Sequence, residues 1–146
     1  MEIQGLNEIR KRFEDCPKEI KAICAATLKD TGQELLEKVQ GRIGGRGRIA
    51  GVQEYRIGSG KGYVAVRAKA KTDLGGYAAG YITNALENGH SQTPGRYVPG
   101  IGKELRHGRV EGKQMYQAVR TQDLPAVVEQ AAHQIADAAA EQLGGR

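Results

Sequence analysis

Apolar residues recur every three or four positions over the first forty residues, which is the spacing of one face of a helix. This pattern predicts a short amphipathic helix over residues 5–14 and a long one over residues 17–40, with a break at Asp15-Cys16-Pro17 between them. Pro17 suits a first helical turn, because the N–H that proline lacks has no partner there. The predicted buried stripe of the long helix consists of Ile20, Ile23, Cys24, Thr27, Leu28, Leu35 and Val39.

The pattern then changes to alternation with a period of two, which is typical of strands. Residues 52–57 and 63–69 are predicted to form two strands, joined as a hairpin by the glycine-rich turn at residues 58–62. In the second strand, apolar and polar side chains alternate, as expected for a sheet with one covered face.

Helical spacing returns in the second half of the chain. A helix is predicted over residues 77–88, and a helical turn is predicted around residues 115–119. A final helix is expected from about residue 124 to residue 143. Asp123 is its predicted N-cap and Pro125 falls in its first turn, where both residue types are favoured.

Two segments rich in glycine separate these elements. Residues 41–51 are predicted to be a mobile basic loop, and residues 89–112, with six glycines and two prolines, a long irregular loop. An irregular stretch of that length inside a compact domain is usually functional or disordered. We therefore expect one α+β domain over residues 1–146, in which long helices pack on a small antiparallel β-sheet and long Gly-rich loops connect them.

Composition adds that the core should be thin and aliphatic. Hydrophobic residues make up 39% of the chain, which has no tryptophan and one phenylalanine. We expect parts of such a chain to be ordered only by neighbouring subunits. Cys16 and Cys24 are separated on the predicted helix by about 12 Å, beyond the reach of a disulfide, and predict free thiols in a reducing compartment. No apolar run of about 18 residues predicts a membrane span.

Motifs that carry chemistry are weak in this sequence. The segment Gly58-Ser59-Gly60-Lys61-Gly62 resembles a phosphate-binding loop but has Tyr55 where that motif requires its first glycine, so a hairpin turn explains it. His90 and His107 have no neighbouring ligands that would complete a metal shell. His133 and Asp137 are four residues apart on the last helix, as in an ordinary surface pair. We therefore predict no catalytic, cofactor-binding or metal-binding residues, and expect that the chain is not an enzyme.

Positive charge concentrates in the middle of the chain. The net charge is +5, whereas residues 41–113 hold 13 Lys or Arg and 5 Asp or Glu, a balance of +8. Three interpretations are open for these cations, which are contact with DNA, docking on an acidic protein surface, and simple solvation. The candidate assembly or DNA-channel contacts are Arg42, Arg46, Arg48, Lys61, Arg67, Arg96, Tyr97, Lys103, Arg106 and Arg109.

The order of the parts resembles a known family. The opening Ile3-Gln4-Gly5-Leu6-Asn7-Glu8-Ile9, the segment from Tyr81-Ile82 through Glu87, Gly89 and His90, and Met115-Tyr116 before the last helix are similar to motifs of the minor tail-component family of long-tailed bacteriophages. That family includes neck and tail-completion proteins. An arginine–glycine segment stands here after the long helix, where family members often have Pro-x-Asp-Thr-Gly.

This resemblance implies a structural protein of the virion, assembled in the cytoplasm of a bacterial host. Such a subunit would form a homo-oligomeric ring at the head–tail junction or tail end, with other connector or tail proteins as partners and no cofactor. The basic middle would line a channel through which DNA passes without sequence readout, or would dock on acidic partners. The alternative is a non-sequence-specific nucleic-acid-binding protein that uses the same basic Gly-rich segments.

Overall fold

The fold is α+β, with long helices beside small antiparallel sheets, as predicted from the sequence. The computed structural model describes residues 6–44, 47–58, 62–70, 72, 74–91, 97–98, 103–104, 108–142 and 144, and of residues 6–13, 15, 16, 97, 98, 103 and 104 only the backbone. In chain order the elements are α1 (Leu6–Ile43), α2 (Arg48–Gly51), β1 (Gln53–Ile57), β2 (Val64–Ala68), α3 (Ala79–Asn88), β3 (Gly89–Ser91), β4 (Tyr97–Val98), β5 (Lys103–Glu104), β6 (Arg109–Glu111), α4 (Met115–Ala118) and α5 (Leu124–Gln142). A π-helical segment, Val119–Asp123, joins the last two helices.

Helix α1 is one continuous element of 38 residues with Pro17 inside it. The predicted break at Asp15-Cys16-Pro17 is therefore wrong. Proline removes one backbone hydrogen bond but has a helical φ, and the residues on both sides are mostly good helix formers that favour continuation. At 1.5 Å per residue, α1 is a rod of about 57 Å. Both cysteines lie on it, and Cys24 is a free thiol.

The predicted hairpin is confirmed. Strands β1 and β2 pair antiparallel, from Gln53 opposite Ala68 to Ile57 opposite Val64. Their inner face packs on α1 at Gly32, where an added Cβ would lie 2.6 Å from Cδ2 of Tyr55. The missing side chain of Gly32 thus allows the helix to approach the hairpin closely.

The two segments expected to be loops contain regular structure. Within residues 41–51, α1 continues to Ile43, Gly44 turns the chain with φ +111°, and α2 forms one helical turn. Within residues 89–112, β3 pairs with β6 and β4 pairs with β5, both antiparallel. Backbone N–H and C=O groups form these ladders, so strands can pair even where the sequence shows no alternation of apolar residues. We call the four strands β3, β4, β5 and β6 the arm.

The C-terminal part is helical from Met115 to Gln142 without interruption. Asp123 was predicted to be an N-cap, but it is the last residue of the π-helical segment. This wider turn ends two residues before Pro125, which has no N–H to continue the α-helical ladder. The final helix was predicted at the correct position, with its start at Leu124, but the N-cap was wrong because helical structure precedes it.

Helices α1 and α5 pack along each other, and α1 also covers the β1–β2 hairpin. The core that they share is thin, as expected, because its largest fully buried side chains among the described residues are Met115 and Val39. The buried cluster consists of Leu35, Val39, Ile43, Ala50, Met115, Val119 and Val127. In the part of the chain that the structure describes, no helix is both long and apolar enough to cross a membrane.

Candidate assembly and nucleic-acid surfaces

Two glycines, Gly89 and Gly112, lie at the base of the arm, where its first and last strands meet. Gly89 ends α3 with φ +78°, a conformation that L side chains rarely adopt. The returning chain passes it at Gly112, where an added Cβ would lie 2.6 Å from the carbonyl carbon of Asn88 and 2.6 Å from the amide nitrogen of Gly89. The outgoing and returning strands therefore meet backbone to backbone, and any side chain at Gly112 would separate them.

The carboxylate of Glu87 holds the returning chain in place. Its Oε2 accepts a hydrogen bond from the amide of Tyr116 at 2.8 Å, and its Oε1 accepts one from the amide of Gln117 at 2.9 Å. These amides belong to the first turn of α4, which has no earlier carbonyls to bond, so Glu87 acts as its cap. A negative charge at a helix N-terminus is also electrostatically favourable.

A buried polar network lies beside this cap. Gln53, which is 2% exposed, donates from Nε2 to the carbonyl of Ile49 and to Oγ1 of Thr83. The hydroxyl of Tyr116 donates to Oε1 of Gln53 at 2.5 Å. Burial, and secondarily the negative charge of Glu87, raise the pKa of Tyr116 to about 12. The network links the hairpin, α3 and α4, and so fixes the base of the arm to the core.

Among the described residues, the strands of the arm contact few other elements of the fold. Its strand β3 contacts the end of α3, and the rest of its pairing is between its own strands. The side chains described on β3 and β6 are all exposed, including 37% of the apolar Val110. They are His90, Ser91, Arg109, Val110 and Glu111. Isolated two-stranded ribbons are marginally stable in water.

Arg42 takes part in holding the fold together. It lies in the last turn of α1, and its Nη2 donates to Oδ2 of Asp123 at 2.8 Å and to Oε1 of Gln122 at 2.9 Å. The hydrogen bond from Arg42 lowers the pKa of Asp123, with further help from the charge of Lys38. This guanidinium is therefore occupied by partners in its own chain.

A second group of cations lies on the outer face of the β1–β2 hairpin. Glu54 Oε1 is 2.9 Å from Nε of Arg56 and 3.4 Å from Nε of Arg67. These two arginines, with Tyr63, line an open depression of about 210 Å³. Lys69 directly follows β2, and its Nζ donates a hydrogen bond to the carbonyl of Gly51, the last residue of α2, at 3.1 Å.

The remaining candidate residues are spread over several elements. Arg48 is exposed at the start of α2, and Arg109 is exposed on the arm. Tyr97 and Lys103 lie on the paired strands β4 and β5, opposite Glu104 and Val98. Arg46, Lys61, Arg96 and Arg106 lie outside the described residues.

Sequence reasoning missed Arg56, Glu54 and Glu87. Arg56 alternates with inward-facing residues of β1, so its outward position was readable from the strand pattern. Its convergence with Arg67 depends on the hairpin register, which places Glu54 directly opposite Arg67. The capping by Glu87 joins residues about thirty positions apart, and no local sequence pattern predicts it.

An exposed aromatic pair lies elsewhere on the surface. The rings of Tyr77 and Tyr81 stack with centroids 5.9 Å apart, and both are more than half exposed. His133 and Asp137 are exposed on α5. Among the residues described, no group of three or more His, Cys, Asp or Glu side chains is arranged to hold a metal ion.

Comparisons with known proteins add no relative. No family model matches the chain, no curated protein matches its sequence, and no solved structure matches its fold.

Proposed function

We propose that this protein is a structural subunit of the bacteriophage neck or tail-completion type, which forms a homo-oligomeric ring in the virion and joins other connector or tail proteins. The order of the sequence motifs suggests this class. The arm supplies the physical support, because its strands pair with one another and the described side chains on β3 and β6 face solvent.

The arm supports assembly for an energetic reason. A two-stranded ribbon gains little from its own contacts, and ordering each residue costs about 1–2 kcal/mol of backbone entropy. An arm fixed at its base by Gly89, Gly112 and the Glu87 cap is oriented toward a partner before that partner arrives. Preorganisation of this kind reduces the entropy lost on association.

The basic residues then divide into two roles. Arg42 stabilises the fold through Asp123, whereas Arg48 and Arg109 are exposed and suited to docking or to a DNA channel. The outer hairpin face with Arg67 favours nucleic-acid contact among the interpretations of the basic middle.

Negative-stain imaging of the purified protein, alone and after addition of phage head or tail extracts, tests the proposal. Closed rings of uniform diameter, or rings bound to heads or tails, are the expected result. Particles that stay single and never join heads or tails would contradict it. Gly112→Ala, which places a side chain at the base of the arm, separates assembly through the arm from assembly through another surface.

A further inference from the structure

Two guanidinium groups converge on the outer face of the β1–β2 hairpin. Arg56 and Arg67 bond to the same oxygen of Glu54 through their Nε atoms. Within the described part of the chain, their terminal Nη nitrogens form no hydrogen bonds. Both side chains are at least half exposed, at 60% and 50%. Glu54 therefore orients the two groups and leaves their outer donors for an external anion.

A tyrosine ring borders the same depression. Tyr63 is 62% exposed, and its ring lies against the backbone of Gly58, where an added Cβ would be 2.5 Å from Cζ and 2.7 Å from Cδ1. The backbone also closes here, because the amide of Gly58 donates to the carbonyl of Tyr63 at 2.9 Å. One face of the ring is thus supported by glycine, and the ring remains accessible.

The charge of this face selects the ligand class. Arg56 and Arg67 carry two positive charges against the single carboxylate of Glu54 on the outward positions of the two strands. Positive side chains beside an exposed aromatic ring are the combination that holds single-stranded nucleic acid, with cations on phosphates and the ring on a base. A duplex keeps its bases stacked inside and offers none to the ring.

We propose that the outer face of the β1–β2 hairpin is a binding site for single-stranded nucleic acid without sequence preference. Arg56 and Arg67 bind backbone phosphates, Tyr63 stacks on a base, and Glu54 is a positioning residue. Binding at this site is a further activity that does not require ring assembly, because every residue involved belongs to one hairpin of one subunit.

Fluorescence anisotropy with a labelled oligothymidylate tests the site on the full chain, with a duplex of the same length for comparison. The double variant R56Q/R67Q should weaken binding about tenfold at low salt and reduce the salt slope by about 1.4, because each phosphate contact on a single strand contributes about 0.7. Tyr63→Leu should weaken binding at least about fivefold without changing that slope. Gly58→Ala should act in the same direction, because its Cβ displaces the ring while the charge stays constant.

The matched control is K29Q/R120Q, which removes the same net charge from exposed positions on α1 and the π-helical segment. It should change affinity less than about threefold, as a purely long-range charge effect does. The inference is overturned by absence of oligothymidylate binding at low salt, by an equal loss in the control, or by a duplex preference that Tyr63→Leu leaves intact. Light scattering on the same samples reports ring formation separately, so failure of this site and failure of ring assembly are distinguishable.

Discussion

Arg42 and Asp123 are joined at 2.8 Å although 81 residues separate them in the chain. The bond connects the last turn of α1 with the end of the π-helical segment, and Gln122 adds a second acceptor to the same nitrogen. It fixes the position where the two long helices begin to pack on each other. A residue that the sequence suggests for a mobile basic loop is therefore part of the framework.

Replacing Asp123 should weaken the fold in a pH-dependent manner. The pKa of Asp123 is lowered from 3.8 in the folded protein, so its contribution is present above that value and is lost as pH falls through the folded pKa. Asp123→Asn should therefore lower the melting temperature at neutral pH and converge with the wild type in acid. Thermal unfolding over a pH series measures this, with the exposed Asp137→Asn on α5 as control. A constant difference down to the lowest pH would contradict the role given to the carboxylate.

Gly32 should resist replacement even by alanine. Alanine favours a helix over glycine by about 1 kcal/mol, but a Cβ here would lie 2.6 Å from Tyr55 Cδ2 and 2.7 Å from Val64 Cγ2. Overpacking of this kind costs about 1–3 kcal/mol, so Gly32→Ala should be destabilising in urea unfolding. Gly41→Ala in the same helix meets no atom within 4 Å and should be neutral or stabilising. Equal gains at both positions would show that α1 and the hairpin are not in close contact.

Glu87 should contribute through its two hydrogen bonds to amides of α4. Glu87→Ala removes both acceptors and should cost about 1–2 kcal/mol, as loss of a helix cap does. Glu87→Gln keeps one oxygen and should cost less. Hydrogen exchange should show faster exchange at the amides of Tyr116 and Gln117, which now bond to Glu87. The exposed Glu129→Ala serves as control, and unchanged protection in Glu87→Ala would refute the capping role.

Tyr116 should make the protein less stable in alkali. Its pKa is raised from 10.0 to about 12, so its contribution is complete below pH 10 and is lost as pH rises through the folded value. Tyr116→Phe should remove this decline between those two pH values. It should also cost about 1–3 kcal/mol at neutral pH, because it leaves the buried Gln53 oxygen without that donor. Chemical unfolding at several pH values tests both effects, and Tyr81→Phe, at a site 64% exposed, should show neither.

A side chain at Gly112 should impair assembly more than folding. Its Cβ would push the returning strand away from Asn88 and Gly89 and reorient the arm. Gly112→Ala should therefore lower the fraction of protein in oligomers while α1, α5 and the hairpin keep their circular dichroism signal. Gly62→Ala, which meets no atom within 4 Å, is the matched control. Normal assembly of Gly112→Ala would exclude the arm as the contact surface.

The local patterns of the sequence were sufficient for the framework. Helical spacing places Leu35 and Val39 in the core, and alternation places the two hairpin strands within one residue of their observed ends. These signals work because each side chain faces inward by the geometry of its own element. A break was predicted at Pro17, whereas α1 continues through it. The helix tolerates this proline because one lost hydrogen bond is a small part of the bonding in a helix of 38 residues.

Features that depend on distant residues were not predictable in the same manner. The Arg42–Asp123 bond, the Glu87 cap and the pairing of β3 with β6 join positions that only tertiary structure brings together. Val110 is the single apolar side chain described on β3 and β6, so these strands carry no periodic signal. The convergence of Arg56 and Arg67 needs the strand register, which turn composition alone does not fix.

The mass of the protein in solution tests the central claim, assembly into a ring, most directly. Multi-angle light scattering over a concentration series, with and without phage head or tail extract fractions, should give a species whose mass is one fixed multiple of 15.7 kDa. That species should persist on dilution and be depleted by Gly112→Ala but not by Gly62→Ala. A mass of 15.7 kDa at every concentration and with every fraction would contradict the ring.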